Sequence, residues 1–312
     1  MVSVADFRTK LLSGEPTSPQ EWQDHLREFH GREPGAASAL CSGPATSRGQ
    51  TSYDVLADTV AATADVLGRP VDVLDLACGD GFLIEVCLRQ FSESIDTITG
   101  VDMSEDELEA ARQRLEGGPA RLHVGLAESL PLATGSVDVA LCHAAFMLMI
   151  PIEPVVAELA RVLRPGGIFS AVVASMSASA GMGGPGVGPQ RELWIRTSAA
   201  LRQFWQDEYP GLQMEGRVGD GRAMTEDGWR ELFNPTAGFT GDVEVEEFEV
   251  IVDGVAEDIW SFFERSYLVE MLDADNRDRL RSRLIAVITE HERAHGACGM
   301  TFPERKLSVR RL

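Results

Sequence analysis

Val71-Asp72-Val73-Leu74-Asp75-Leu76-Ala77-Cys78-Gly79-Asp80-Gly81 is the stretch on which the fold turns. A short apolar run rich in valine and leucine reads as a buried strand, and the Gly-x-Gly that follows reads as a tight turn. The next segment, Gly81–Phe91, carries helical periodicity. Outward from this unit the same alternation repeats. Ile95–Asp102 reads as a second strand, followed by a helix from Ser104, whose hydroxyl and Glu107 stand at capping-box spacing. Ala120–Gly125, Val137–His143 and Ile168–Ala174 read as three further strands. A helix over Ile152–Leu163, stopped by Pro165-Gly166-Gly167, precedes the last of them. Strands and helices in alternation imply parallel strands joined by right-handed crossovers, hence a doubly wound α/β sheet with helices on both faces.

In such sheets a ligand binds beyond the carboxyl ends of the strands, where the first loop meets a helix N-terminus. Gly79 and Gly81 let the backbone turn and let a ligand approach where a Cβ would block it. Asp102, 21 residues after Gly81 at the end of the second strand, sits where a carboxylate takes ribose hydroxyls. A nicotinamide dinucleotide needs a third glycine at position 84, which is Ile84. The other cofactor that uses this geometry has no phosphate and ends in an amino acid whose ammonium needs an acid nearby. Asp75 supplies one directly before the turn.

With these residues in place, the chain resembles the class I S-adenosylmethionine-dependent methyltransferases, especially the ubiquinone/menaquinone-biosynthesis-like group. The matching stretches are VLDLACGDG (73–81), GVDMSEDELEAAR (100–112), AESLPLATGSVDVALCHAAFML (127–148) and EPVVAELARVLRPGG (153–167), in family order. The resemblance implies a Rossmann-like seven-stranded sheet whose last strand is antiparallel, with 243–250 and 306–311 as the final pair and the helices of 257–295 inserted between them. S-adenosyl-L-methionine would be the cofactor and S-adenosyl-L-homocysteine the product. Asp75, Ala77, Gly79 and Gly81 would face its methionine part, Asp102 its ribose, and Met103, Ala127 and Glu128 its adenine. Leu126 stands where the family often has Asp, so the contact to the adenine amino group falls to Glu128 or to backbone. Tyr53, just ahead of the core, could reach the cofactor carboxylate or simply pack.

Methyl transfer from a sulfonium is an in-line displacement, so an enzyme contributes mainly alignment, and a base where the acceptor must lose a proton. His143 ends the fourth strand near the methyl and is the candidate for base, cofactor contact or acceptor positioning. Phe146 and Met147 beside it, with Trp22, His25, Trp194 and Tyr267 from a mainly helical cap, are the candidate acceptor-pocket residues; Trp205 and Trp260 are further aromatics there. An aromatic on an amphipathic helix serves the core more often than a ligand. His25 and His30 read as ordinary helix residues.

The expected organisation is an N-terminal helical cap segment (1–52), a cofactor-binding core (53–174), a linker and helical cap segment (175–240) and a final strand pair with inserted helices (241–312). The formal net charge of −21 opposes a phosphate backbone, so no nucleic acid partner is expected. There is no apolar run of 18 residues, and the five scattered cysteines (Cys41, Cys78, Cys87, Cys142, Cys298) read as reduced thiols; a cytoplasmic protein away from membranes is expected. The expected partner is a small-molecule acceptor in bacterial natural-product (antibiotic) biosynthesis, and a homodimer stays open. Two rival functions remain: a cofactor binder of the same fold without transfer, and a zinc hydrolase using His291, Glu292 and His295, which match H-E-x-x-H. Against zinc stand the missing third ligand downstream and a sheet with no task in a peptidase; no metal is expected for the transfer chemistry.

Overall fold

The computed structural model describes residues 4–174, 188–212, 217–296 and 299–312. The Gly/Ser/Pro-rich linker read at 175–190 falls largely outside them, as does Cys298. In chain order the elements are α1 (Val4–Ser13), α2 (Pro19–Arg32), α3 (Ala36–Cys41), α4 (Ser52–Leu67), β1 (Val71–Leu76), α5 (Phe82–Phe91), β2 (Ile95–Asp102) and α6 (Glu105–Arg114). There follow β3 (Arg121–Val124), β4 (Val137–His143), α7 (Glu153–Val162), β5 (Leu163–Ala174), α8 (Pro189–Glu208) and α9 (Glu226–Leu232). The chain ends with β6 (Phe239–Val252), α10 (Ala256–Glu264), α11 (Tyr267–Glu270), α12 (Ala274–His295) and β7 (Met300–Arg311).

The seven strands form one sheet in the order β3-β2-β1-β4-β5-β7-β6. β1 to β5 pair in parallel, and β7 lies antiparallel to both β5 and β6. The winding reverses between β1 and β4, so the crevice beyond their carboxyl ends is the switch point at which α/β sheets bind ligands. Side chains alternate across the pleat. Val71, Val73, Val139, Leu141 and Ile168 pack with Leu56 and Val60 of α4 and Leu83 and Ile84 of α5 on one face. Leu74, Leu76, Ala140, Phe169 and Ala171 pack with Val156 and Leu159 of α7 and Trp229 of α9 on the other. α9 therefore completes a face of the sheet, although it lies in the stretch read as cap.

Of the remaining helices, α2, α3 and α11 border the crevice. Phe7, Leu11, Trp22 and Leu26 of α1 and α2 share a core with Ile150 and Met271. Leu193 and Trp194 of α8, Trp260 and Phe263 of α10, and Leu280, Leu284 and Ile288 of α12 form a separate one. Several boundaries differ from the sequence reading for local reasons. Residues 36–41, inside a Gly/Ser/Pro-rich stretch, form α3 because Gly35 adopts φ 78 and starts a new turn. The first of the helices expected within 257–295 breaks into α10 and α11, the second capped by Ser266 accepting from the Val269 amide. Pro165-Gly166-Gly167 lies inside β5 as a register shift against β4, rather than ahead of the strand.

Candidate active site

Three adjacent strands end at the crevice with Asp75, Asp102 and His143, so the pairing register brings together side chains far apart in sequence. After β1 the backbone turns through Ala77 (φ 58), Gly79 (φ 52) and Gly81 (φ 77). The left-handed region costs an L-residue about 1–2 kcal/mol, which Ala77 bears. The Cys78 amide donates to the Val101 carbonyl at 3.1 Å, tying the turn to β2. Asp102 is fixed by two amides, with Gly79 N donating to Oδ2 and Ser104 N to Oδ1, both at 2.9 Å. Each oxygen keeps a second lone pair, which suits it to accept from two vicinal hydroxyls.

Both glycines serve the turn itself. At Gly81 a Cβ would sit 2.9 Å from Leu115 and 3.2 Å from Ala111, so its bareness lets α6 pack against the loop. At Gly79 the nearest atom would be Glu107 Oε2 at 3.8 Å, so its requirement is the backbone conformation.

Two cavities open around the loop. One, of ≈ 140 Å³, is bordered by Ala77, Asp102, Met103, Ala127, Glu128 and His143. The other, of ≈ 40 Å³, is bordered by Tyr53, Asp75, Ala77, Asp80, Glu107 and His143. Ala37, Ala77 and His143 border both, so the two cavities are neighbours, with Asp102 lining the larger and Asp75 the smaller.

Asp75 is 2% exposed and its Oδ2 has no hydrogen-bond partner. Burial raises its pKa well above the ordinary carboxylate range, and the charges of Asp102 and Asp80 add to the rise. A buried carboxyl with one unpartnered oxygen among like charges is a seat for a cation, which would stabilise its ionised form. Asp80 is already engaged, accepting from Ser38 Oγ at 2.6 Å and pairing with Arg114.

His143 stacks on Tyr53, with ring centroids 3.6 Å apart and planes inclined by 14°. Its Nε2 lies 2.8 Å from Ser52 Oγ. Burial pushes its pKa down to about 3, which keeps the ring neutral at pH 7 and makes it a weak base. Of the roles open to it, packing and positioning suit this environment better than proton abstraction.

The sequence reading placed this helix in the cap but not the face it turns to the crevice. Gln23, Leu26 and His30 of α2, spaced as i, i+3 and i+7, present one helix face to the larger cavity. Glu107 does not complete a capping box with Ser104, which only accepts from the Glu107 amide. Its carboxylate instead accepts from His30 Nδ1 at 2.6 Å and from the Gly35 amide at 2.9 Å. The Tyr267 hydroxyl lies 3.2 Å from His30 Nε2. Spacing pointed Glu107 to the local cap because nothing in it reveals a partner 77 residues away.

Of the expected acceptor-pocket residues, only Tyr267 borders either of these two cavities. Trp22 is buried against Phe7, with its indole N–H donating to the Leu148 carbonyl at 2.8 Å. His25 is wholly buried between Phe7 and Trp22. Phe146 packs with Phe169 and Trp229 beneath the sheet, Met147 packs against the same core, and Trp194 belongs to the cap core. Large apolar side chains on these helices gain more from filling cores than from facing a crevice. Their neighbours Leu148, Met149 and Ile150 border the cavity instead.

A doubly wound sheet and a switch-point turn with no third glycine, with carboxylates near the ends of β1 and β2, suit an adenosyl amino-acid cofactor better than a dinucleotide. The comparisons agree. Residues 74–171 match the family described as "Methyltransferase domain". A demethylmenaquinone methyltransferase from Symbiobacterium thermophilum is 30% identical over 166 residues, covering 52% of this chain and 63% of that protein. An uncharacterized 37.1 kDa protein in a transposon of Streptomyces fradiae is 32% identical over 143 residues, covering 45% of this chain and 39% of that protein. The chain thus spans less than two thirds of the length of these relatives. Among solved structures, the YcgJ protein of Bacillus subtilis superposes with a TM-score of 0.50 at 17% identity, over 82% of this chain and 99% of that one, a likeness of fold. Residues 74–171 are therefore similar to a methyltransferase domain, and S-adenosylmethionine is the cofactor that this likeness supports.

Proposed function

We propose that the protein transfers a methyl group from S-adenosylmethionine to an O, N or C nucleophile of a small molecule, in bacterial natural-product biosynthesis. The observation that carries this reading is the unpartnered Oδ2 of buried Asp75, in a cavity next to the one that the doubly anchored Asp102 lines. Asp75 would hold the cofactor's ammonium and Asp102 its ribose, while Met103, Ala127 and Glu128 border the adenine side. Tyr53 and His143 would wall the methionine side, and the turn through Ala77 and Gly79 gives the ligand backbone in place of side chains. When bound, the cofactor supplies an electrophilic methyl carbon on sulfur. The chain's own part is to align the acceptor beside it, and well-oriented reactants gain roughly 7–11 kcal/mol from such positioning. With His143 a weak base, the reading favours an acceptor that is already nucleophilic. The cover of α2, α3 and α11 over the crevice supports a specialised small acceptor. So does the net charge of −21, which disfavours nucleic acid.

Calorimetry with S-adenosylmethionine and S-adenosylhomocysteine tests the site. Both should bind the wild-type protein, and Asp102→Ala should weaken them by about a hundredfold, the order expected for losing charge-assisted hydrogen bonds to two hydroxyls. Binding of a nicotinamide dinucleotide instead, or unchanged affinity in Asp102→Ala, would refute the assignment. Turnover of methyl-labelled donor with candidate acceptors separates an enzyme from a binder of the same fold.

A further inference from the structure

His291 and His295, four residues apart near the end of α12, lie on one helix face with ring centroids 4.5 Å apart. The third ligand that the sequence lacked downstream comes from upstream. Glu192, in the first turn of α8, packs beside them, with its Oε2 3.9 Å from His295 Nε2. One donor atom from each of the three residues lies within 4.8 Å of the others. A tetrahedral ion with bonds of about 2.0–2.1 Å needs donors roughly 3.4 Å apart. The gap closes by side-chain rotation of Glu192 and His295, which are exposed and free to turn.

A second observation is independent of this proximity. The His291 imidazole is wholly buried, and neither ring nitrogen makes a hydrogen bond of normal geometry. A buried polar ring without partners is costly and calls for an explanation. Ligation would satisfy one nitrogen. The Pro189 carbonyl, which faces the same ring and favours a proton on it, would orient the other, as backbone carbonyls commonly do for metal-bound histidines. The nearby cation Arg196 is already held by Glu290 at 2.6 Å.

We infer that Glu192, His291 and His295 form a binding site for a divalent transition ion of the zinc class, which clasps α8 to α12. Two imidazoles and a carboxylate are a zinc donor set, with water completing the shell. Glu292 is not among the donors, and none of the three ligands borders either cavity described above. The site is thus a structural clasp in the cap, separate from methyl transfer and independent of the cofactor assignment.

The test uses the full chain without a histidine tag, stripped with EDTA, desalted, and titrated with zinc chloride alone in a non-chelating buffer. One ion per chain is expected, with the melting temperature raised by roughly 5 °C at a hundredfold excess over Kd. His295→Ala and Glu192→Gln alter exposed side chains, so both should fold with a metal-free melting temperature near the wild type. Each should lose about tenfold or more in zinc affinity, together with the thermal shift. No saturable binding, or equal binding by wild type and both variants (an adventitious ion only), would overturn the site.

Discussion

At the scale of single residues, the site is governed by where charge is left unanswered. Asp102 and Asp75 both end parallel strands and both carry raised pKa values from burial. They differ in partners: two amides support the ionised form of Asp102, whereas nothing donates to Asp75 Oδ2. The free protein therefore holds Asp75 largely as the acid across a range where an exposed carboxyl would be ionised. Arrival of an ammonium beside it favours the carboxylate, so cofactor binding should release a proton and affinity should rise with pH through that range. Calorimetry in buffers of different ionisation enthalpy reads the proton directly. Asp75→Asn should abolish the release and weaken binding by about tenfold or more, the loss of one charge-assisted hydrogen bond. A wild-type protein that binds without proton release would show that Asp75 does not meet the ammonium.

Among the elements, the order of β1 to β5 and α5 to α7 was legible because each is a short apolar run or an amphipathic repeat, closed by a glycine, a proline or a cap. What sequence periodicity could not supply is which helix face meets which partner. Trp22 and Phe146 looked like pocket residues because aromatics suit both cores and ligands, and only the packing assigns them to cores. Glu107 looked like a cap residue, yet it joins α6 to α2 through His30 and Gly35. Because α2 borders the cavity and is tethered there, His30→Ala should speed cofactor release by about tenfold, the rate cost of losing one charge-assisted contact. Stopped-flow fluorescence measures this, and an unchanged release rate would show that the tether plays no part in retention. The two loop glycines separate in the same way. Both adopt left-handed φ, but only at Gly81 would a Cβ strike α6. Gly79→Ala should cost about 1–2 kcal/mol of stability, and Gly81→Ala about 2–4 kcal/mol once overpacking is added. Urea denaturation checks the order, and equal losses would place the α6 contact elsewhere.

Over the whole molecule, α4 and both parts of the sheet are linked by buried polar groups that residue spacing alone does not connect. Ser52 at the start of α4 lies 2.8 Å from His143 at the end of β4, and it hydrogen-bonds Glu304 on β7. The three lie on separate elements, so one small network spans α4 and both halves of the sheet. Glu304 is 2% exposed, with Oε2 unpartnered, and burial raises its pKa from the ordinary carboxyl value to about 8. An acid whose folded pKa lies above its unfolded one binds its proton more tightly in the native state. Its contribution to stability is complete below about pH 4.5, declines as pH rises above that value, and is lost by the time pH has passed about 8. The slope is about 1.4 kcal/mol per pH unit within that window, so the total amounts to a few kcal/mol. Glu304→Gln keeps the shape and hydrogen-bonding capacity of the neutral acid but cannot ionise. Its thermal stability should match the wild type near pH 5 and exceed it at pH 8.5. Parallel pH profiles for the two proteins would mean that Glu304 is ionised in the native state and holds a cationic partner.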